Sequence, residues 1–372
     1  MANNTVVWFR QDLRLKDNPA LQAARDADSP LILLYILDES IEDLVQPGGA
    51  SRWWLHHSLK SLAASIDKCG NKLILKRGDP GKILQDIVSK HKVSAVHWNR
   101  QYEPQAISRD KKIKKALQDA EVEVNSHNSA LLFEPWTVQN QAGEPYKVYS
   151  QFWRRGCLAN KPEWPTLKNM PRKLAAPARK PGSDKLDDWE LLPVDPDWSG
   201  EFDDWSPGEK GAANRLNNFI ENGLKGYKEL RNNPALENVS RLSPHLHFGE
   251  IAPWRVWSAI ESADTRHDDI SRKDIDHYLS EIGWREFSNH LLYHFPKLPV
   301  ENWRPAFDDF PWKKSKRKLE AWQRGLTGYP IVDAGMRQLW ATGWMHNRVR
   351  MITASFLIKD LLIDWREGER WF

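Results

Sequence analysis

The stretch Thr5-Val6-Val7-Trp8-Phe9-Arg10-Gln11-Asp12-Leu13-Arg14-Leu15-Lys16-Asp17-Asn18-Pro19 decides the fold of the first part of the chain. Five β-branched or aromatic residues make a strand, a charged loop follows, and Asn18 before Pro19 caps and opens a helix. The alternation then recurs. Residues 31–37, 72–75, 93–98 and 122–124 are short apolar or β-branched runs, with helical stretches such as 54–67 and 80–92 between them. Strands and helices alternating over short links predict an α/β domain, a doubly wound parallel sheet of Rossmann-like type, over residues 1–130. Ligands of such sheets sit beyond the carboxyl ends of the strands, which is where residues 10–17 fall. The chain has no G-x-G-x-x-G or Walker A sequence, and Gly78-Asp79-Pro80-Gly81-Lys82 reads as a turn and helix start rather than a phosphate loop. This domain is therefore not a conventional dinucleotide binder.

Residues 162–207 hold eight of the 23 prolines and little apolar periodicity, so residues 131–205 are expected to form an ordered linker wrapping the surface. The linker ends at Ser206-Pro207-Gly208-Glu209, which has the form of a capping box with proline at the first helical position. Leu216, Phe219, Ile220 and Leu224 follow at helical spacing, and no strand pattern recurs. Residues 206–372 are predicted to be an all-α domain.

Composition bounds what this protein does. The two cysteines, Cys69 and Cys157, exclude a disulfide framework, a Cys-based zinc module and an iron–sulfur ligand set. No run approaches eighteen apolar residues, and Met1-Ala2-Asn3-Asn4-Thr5 lacks the blocks of a secretory signal, so a cytoplasmic protein with no membrane and no metal is expected. Ten of the 20 tryptophans lie from Trp254 onward, and from Lys313 on there are twelve Lys/Arg against six Asp/Glu, a net +6 beside +4 for the whole chain. A basic, tryptophan-rich half suits a polyanionic partner. The run Lys313-Lys314-Ser315-Lys316-Arg317-Lys318 reads as a solvated helix face within reach of phosphates.

Three segments of the helical half carry chemistry. Ser240-Arg241-Leu242-Ser243-Pro244 precedes a helix; Ser243 suits the N-cap and Pro244 the first turn, while Ser240 and Arg241 add a hydroxyl and a cation that suit a phosphate. His245 and His247, two apart, point in different directions and are not expected to bind metal. Residues 274–294 read as one long helix on which Glu281, Trp284, Arg285 and Ser288 share a face. There Glu281 is either a desolvated acid beside an aromatic or half of a surface ion pair. Trp344-Met345-His346-Asn347-Arg348-Val349-Arg350-Met351 joins an amide that reads a heterocycle edge to two arginines suited to phosphates, or is simply a capped helix start.

Taken together, Val7-Trp8-Phe9-Arg10-Gln11-Asp12-Leu13-Arg14, Ser240-Arg241-Leu242-Ser243, Glu281-Ile282-Gly283-Trp284-Arg285-Glu286-Phe287, Thr327-Gly328-Tyr329-Pro330-Ile331-Val332-Asp333-Ala334, Gly343-Trp344-Met345-His346-Asn347-Arg348 and Asp364-Trp365-Arg366 resemble, in order, the motifs of the photolyase/cryptochrome family. The resemblance is to its class I cyclobutane pyrimidine dimer photolyases and runs from Thr5 to Phe372. It implies an antenna-bearing α/β domain, an α-helical domain holding folded FAD, and light-driven repair of UV-damaged DNA by a monomer. It further implies that Tyr227 and Ser240, Arg241, Leu242 and Ser243 hold the FAD phosphates, and that Arg285, Trp344, Asn347 and Arg350 line the flavin. Glu281 would hydrogen-bond the flipped-out lesion and stabilise its radical anion, Trp284 would stack on it, and Arg231 and Arg348 would meet the DNA backbone. (6-4) photolyases carry His in the places of Asn347 and Met351, so the cyclobutane dimer is the implied substrate. Trp312 and Trp365 match the outer and middle members of an electron-hopping chain.

The family's flavin-proximal segment, with its Asp-Gly-Asp and Asn-Asn-Gly-Gly-Trp motifs, has no counterpart up to Phe372, where a helical pattern persists from residue 352. A C-terminally truncated member is thus expected, in which FAD binding and repair are the properties at stake. Gln105-Ala106 replaces the Asn-Glu of folate-binding members, which weakens a methenyltetrahydrofolate antenna and leaves deazaflavin or none. The alternatives are a cryptochrome-like blue-light receptor, an inactive remnant and a generic basic DNA-binding protein. Retention of Glu281, Trp284, Asn347 and Met351 speaks against the receptor.

Overall fold

The structure, a computed structural model, describes residues 3–39, 47–266 and 268–372. Strands β1 (Asn4–Phe9), β2 (Leu31–Leu37), β3 (Leu73–Arg77), β4 (Val93–Asn99) and β5 (Glu123–His127) form one parallel sheet in the order β3-β2-β1-β4-β5. Helices α1 (Pro19–Asp26) and α2 (Gly49–Lys68) pack on one face through Leu21, Leu59 and Ile66, against Val7, Phe9 and Leu33. Helices α3 (Pro80–His91) and α4 (Pro104–Asp119) cover the other through Leu84, Ile87 and Ile113, against Val6 and Trp8. A strand covered on both faces must be apolar throughout, and all seven residues of β2 are buried. Asn18 accepts from the Leu21 amide and Pro19 opens α1, as the sequence predicts. Strand order reverses between β1 and β4, so the crevice beyond their carboxyl ends is the topological switch point.

The stretch expected as a surface linker also supplies core. Leu174, Trp189 and Leu191 are buried beneath α2, and the Leu31 amide donates to Ala175 at 2.8 Å. Leu132, Phe133, Phe152 and Trp153 belong instead to the helical core, where the single turn α5 (Tyr149–Gln151) runs into a π-helical turn, Phe152–Cys157. Beyond lie α6 (Glu209–Asn222), α7 (Tyr227–Leu230), α8 (Ser243–His247), α9 (Pro253–Glu261), α10 (Arg272–His294), α11 (Lys316–Gln323), α12 (Pro330–Thr342), α13 (Asn347–Ser355) and α14 (Trp365–Trp371).

Three local expectations change. No capping box forms at Ser206: α6 opens behind Gly208, and the Glu209 carboxylate reaches across to accept the Leu15 and Lys16 amides at 2.9 and 3.0 Å. Helix α8 begins at Ser243 itself, with Leu242 in the cap position and no side-chain cap. The helical pattern over 352–372 breaks into α13, a π-helical turn (Phe356–Asp360) and α14, because Leu362 takes a left-handed φ of 56° and its carbonyl accepts the Lys313 amide at 2.7 Å. Trp371 stacks on Trp340 and Phe372 packs on Trp322.

The loop after β1 joins the two halves. The Arg14 guanidinium, on a residue 1% exposed, donates to the carbonyls of Lys16, Asp17, Ser129 and Gly249 and to Ser129 Oγ, at 2.6 to 3.1 Å. Gly249 is required by this approach, because a Cβ there would lie 2.1 Å from the Gln11 carbonyl oxygen. Asp17 pairs with Arg255 of α9, and Glu250 accepts Trp54 Nε1 at 3.0 Å and pairs with His245. Truncating Arg14 strands several buried carbonyls at once. Arg14→Ala is expected to lower stability to urea by about 3 kcal/mol or more, with Arg14→Lys recovering only part because an ammonium lacks the planar fork.

Candidate functional site

A cleft of about 660 Å³ opens where the two halves meet. The loops after β1 and β4 form one wall, with Gln11, Asp12, Asn99 and Glu103, so the cleft lies at the switch point of the sheet. Asp12 is buried there, accepting from the Arg10 amide at 2.6 Å and from Asn18 and Asn99 side chains at 3.0 and 2.5 Å. The strand-end rule pointed to residues 10–17, of which Gln11 and Asp12 line the cleft, while Asn99, Glu103, Ser129 and His247, which also line it, went unnamed as site residues. The same rule applied to β4 could have pointed to Asn99 and Glu103.

The helical domain supplies the other wall. Tyr227 lines it from α7, and Ser240, Arg241, Leu242 and Ser243 from the approach to α8. Arg241 adopts a left-handed φ of 49° and sets its guanidinium over Trp344, 4.7 Å from the ring centroid. Burial pushes the Tyr227 and Tyr278 hydroxyls up, so both remain protonated donors. His245 turns inward to Glu250 while His247 faces the cleft, so the two histidines do diverge. Among the described residues no cluster suits a metal ion.

Helix α10 contributes a motif in which nearly every residue has a distinct partner. The Glu281 carboxylate pairs with Arg231, which is 7% exposed and also lies 3.3 Å from His277 Nε2. Arg231, expected to contact the DNA backbone, is thus turned inward as the holder of Glu281. Ile282 and Phe287 enter the helical core. At Gly283 a Cβ would lie 2.6 Å from the Trp153 ring, so only glycine lets that indole rest on the helix. Arg285 Nη1 donates to the Ala130 carbonyl at 2.7 Å, and buried Glu286 accepts the Leu132 and Phe133 amides at 2.8 and 3.1 Å.

From the start of α13 come Trp344, Asn347 and Arg350. Arg350 has no acidic partner among the described residues, and burial holds its pKa below the usual arginine range. Its guanidinium lies 4.9 Å from the Phe372 ring centroid, and a half-buried guanidinium at a cleft wall suits an anionic ligand. Arg348, Met351 and Trp284 do not line the cleft. Arg348 Nε donates to Asn232 Oδ1 at 2.6 Å, and its Nη1 lies 3.5 Å from Met351 Sδ, beside a shallower depression of about 460 Å³. Trp312 and Trp365 are outside the cleft: Trp365 Nε1 donates to Asn302 at 2.7 Å, and Trp312 packs on Phe310.

Hydroxyls, two guanidinium groups, an amide and several aromatic rings lining one cleft suit a nucleotide with anionic phosphates and a flat ring. Fold and cleft thus define the class of a protein with a nucleotide-sized cleft lined by both a doubly wound sheet and a helical domain. Comparison with known proteins narrows that class. The DNA photolyase family matches residues 5–171, and the FAD binding domain of DNA photolyase matches residues 278–372. The chain is 50% identical to a deoxyribodipyrimidine photo-lyase of Agrobacterium fabrum over 99% of its own length and 75% of the relative's. It is 36% identical to cryptochrome-1 of Arabidopsis thaliana, over 99% of itself and 54% of that protein. A bacterial class III photolyase structure from Agrobacterium tumefaciens superposes with a TM-score of 0.95 at 49% identity, covering all of this chain and 76% of that one. The chain belongs to the photolyase/cryptochrome family and carries its FAD-binding domain. The likeness to a class III enzyme supports the family, not the class I subdivision suggested by the motifs.

Glu286 gives this site a pH dependence. Burial outweighs its hydrogen bonds to Arg285 and the two amides and pushes the carboxyl from 4.5 up to about 7. The folded state therefore binds the proton more tightly than the unfolded state. The contribution of Glu286 to stability is full below about 4.5 and is lost as pH rises through about 7. Glu286→Gln is expected to flatten that slope, as read from urea midpoints at pH 5 and pH 8.

Proposed function

We propose that this chain performs light-dependent repair of cyclobutane pyrimidine dimers in UV-damaged DNA, acting as a carbon–carbon lyase with FAD as its cofactor. The reading is supported by one observation: Glu281 and Arg350, the latter with no acidic partner among the described residues, line one cleft together with Tyr227, Ser240, Trp344 and Asn347. When bound, FAD supplies the light-driven electron that opens the dimer.

The chain's own residues do the rest. Ser240, Ser243 and Arg241 bind the phosphates by hydroxyl and guanidinium donors, Tyr227 and Leu242 close the wall around them, and Arg350 neutralises charge near the ring. Asn347, whose amide both donates and accepts, reads the edge of the flavin. Arg285, fixed on the Ala130 carbonyl, holds its guanidinium at the same wall. Glu281, held by Arg231, accepts from the N–H edge of the flipped dimer, and in its protonated form it donates to the carbonyl on which negative charge develops. A damaged pair is already poorly stacked, so extruding it costs less than extruding an intact one. Trp284 and Met351 receive the dimer, and Arg348 meets the backbone phosphate. Trp365 and Trp312 relay electrons toward the surface. Residues 1–130 form the antenna domain, 131–205 the linker and 206–372 the FAD domain of a monomer working in the cytoplasm. The antenna is a deazaflavin or is absent, and methenyltetrahydrofolate is the less favoured choice because Gln105-Ala106 stands in place of Asn-Glu. Among the described residues no helix is long and apolar enough to cross a membrane.

A dimer-containing oligonucleotide, illuminated with the FAD-loaded chain and assayed for restored thymines, tests the reading. Glu281→Gln is expected to lower the repair rate about tenfold or more while dark affinity for the same oligonucleotide stays within about twofold. Repair at the parent rate in that variant would remove Glu281 from the mechanism.

A further inference from the structure

Trp284 is an exposed indole with an unusual support. It is 46% exposed, one helical turn beyond Glu281 on the same face of α10. Its inner side is covered by Tyr149, with ring centroids 3.7 Å apart and planes inclined by only 12°. The support is itself fixed. Tyr149 donates its hydroxyl to the Ser280 carbonyl at 2.5 Å, one turn before Trp284 on the same helix. On its other side it runs parallel to Trp153, offset at 6.4 Å and 11°. Trp153 rests on the bare backbone of Gly283, and Phe287 stands edge-on to both Trp284 and Tyr149.

The three parallel rings form a ladder, Trp153, Tyr149, Trp284, anchored at Gly283 and ending in an indole with one face free. A surface tryptophan without such backing samples several rotamers, and the entropy of choosing one is lost when a ligand stacks on it. A stacked partner on the hidden face, locked by a hydrogen bond, removes that loss in advance and limits the indole to one plane. The face left open admits one more flat or nearly flat ring.

We infer that Tyr149 is a positioning residue for lesion recognition: it holds Trp284 in the single orientation that stacks on a pyrimidine of the flipped-out dimer, and so sets the preference for damaged over intact DNA. This rests on the reading of Trp284 as the lesion's stacking partner. Intact duplex DNA, whose bases stay in the helix, meets the backbone-binding rim and gains nothing from the ladder.

The test measures dark affinity of the FAD-loaded chain for a dimer-containing duplex and for the same duplex undamaged, by fluorescence anisotropy. Tyr149→Leu is expected to weaken dimer binding about tenfold and leave the undamaged duplex unchanged. Tyr149→Phe, which keeps the ring and drops the hydroxyl, is expected to stay within about threefold of the parent. In a Trp284→Ala background, Tyr149→Leu should cause no further loss, a result that a merely structural role would not produce because its effects would add. The positioning role is overturned if Trp284→Ala weakens dimer binding and Tyr149→Leu does not, if the two losses add, or if both duplexes weaken alike. If Trp284→Ala itself leaves dimer affinity unchanged, the lesion-stacking reading fails and the role of Tyr149 falls with it. Should Tyr149→Leu unfold the chain, Tyr149→His retains a planar ring, and the additivity test is read from that variant and Tyr149→Phe.

Discussion

The buried guanidinium of Arg14 is the constraint on which the rest of the molecule depends. It fills its donors with carbonyls from three separate segments: its own loop, the exit from β5 at Ser129, and the end of α8 at Gly249. A charge taken out of water is tolerated only where its hydrogen bonds are met, so the two halves of the chain are held at the distance those carbonyls set. The cleft is the space this clamp leaves. One wall is Gln11 and Asp12 from the same loop with the end of β4, and the other is α7, α8, α10 and α13.

Within that space the charges are arranged unequally. Glu281 is matched by Arg231, and Arg285 is matched by Ala130 and Glu286, so these side chains are already in place. Arg350 has no acidic partner among the described residues and lies against the Phe372 ring, 4.9 Å from its centroid. A guanidinium at the cleft wall suits a ligand bringing its own negative charge, as a phosphate-bearing flavin does. The seven residues from Glu281 to Phe287 show how densely about two helix turns can be used. Glu281, Ile282 and Arg285 line the cleft, Trp284 faces solvent on a ladder of rings, Gly283 leaves room for Trp153, Glu286 fixes the Leu132 and Phe133 amides, and Phe287 enters the core.

Much of this was legible in the sequence, and the remainder was hidden for physical reasons. The strands were readable because a doubly covered sheet needs continuous apolar runs; 31–37 agrees with β2 to the residue. The helical motif residues were found, and eleven of those predicted to touch cofactor, lesion or DNA line one cleft. What failed was long-range pairing. Glu209 has the spacing of a local cap, yet its carboxylate crosses to residues 15 and 16. Arg231 has the chemistry of a phosphate contact, yet it is buried against Glu281, fifty positions away in the chain. Leu362 carries no turn signal and is forced left-handed by a contact with Lys313. Sequence patterns report local preference, and these residues answer to partners that no pattern of short period contains.

The central claim is that the interdomain cleft holds FAD. The most direct measurement is to mix the purified 372-residue chain with FAD, pass it through gel filtration, and record the visible spectrum of the protein peak. The account predicts flavin bands with vibrational structure, co-eluting near one equivalent and lost in Arg350→Ala. A folded, colourless protein peak with all flavin in the small-molecule volume would contradict it.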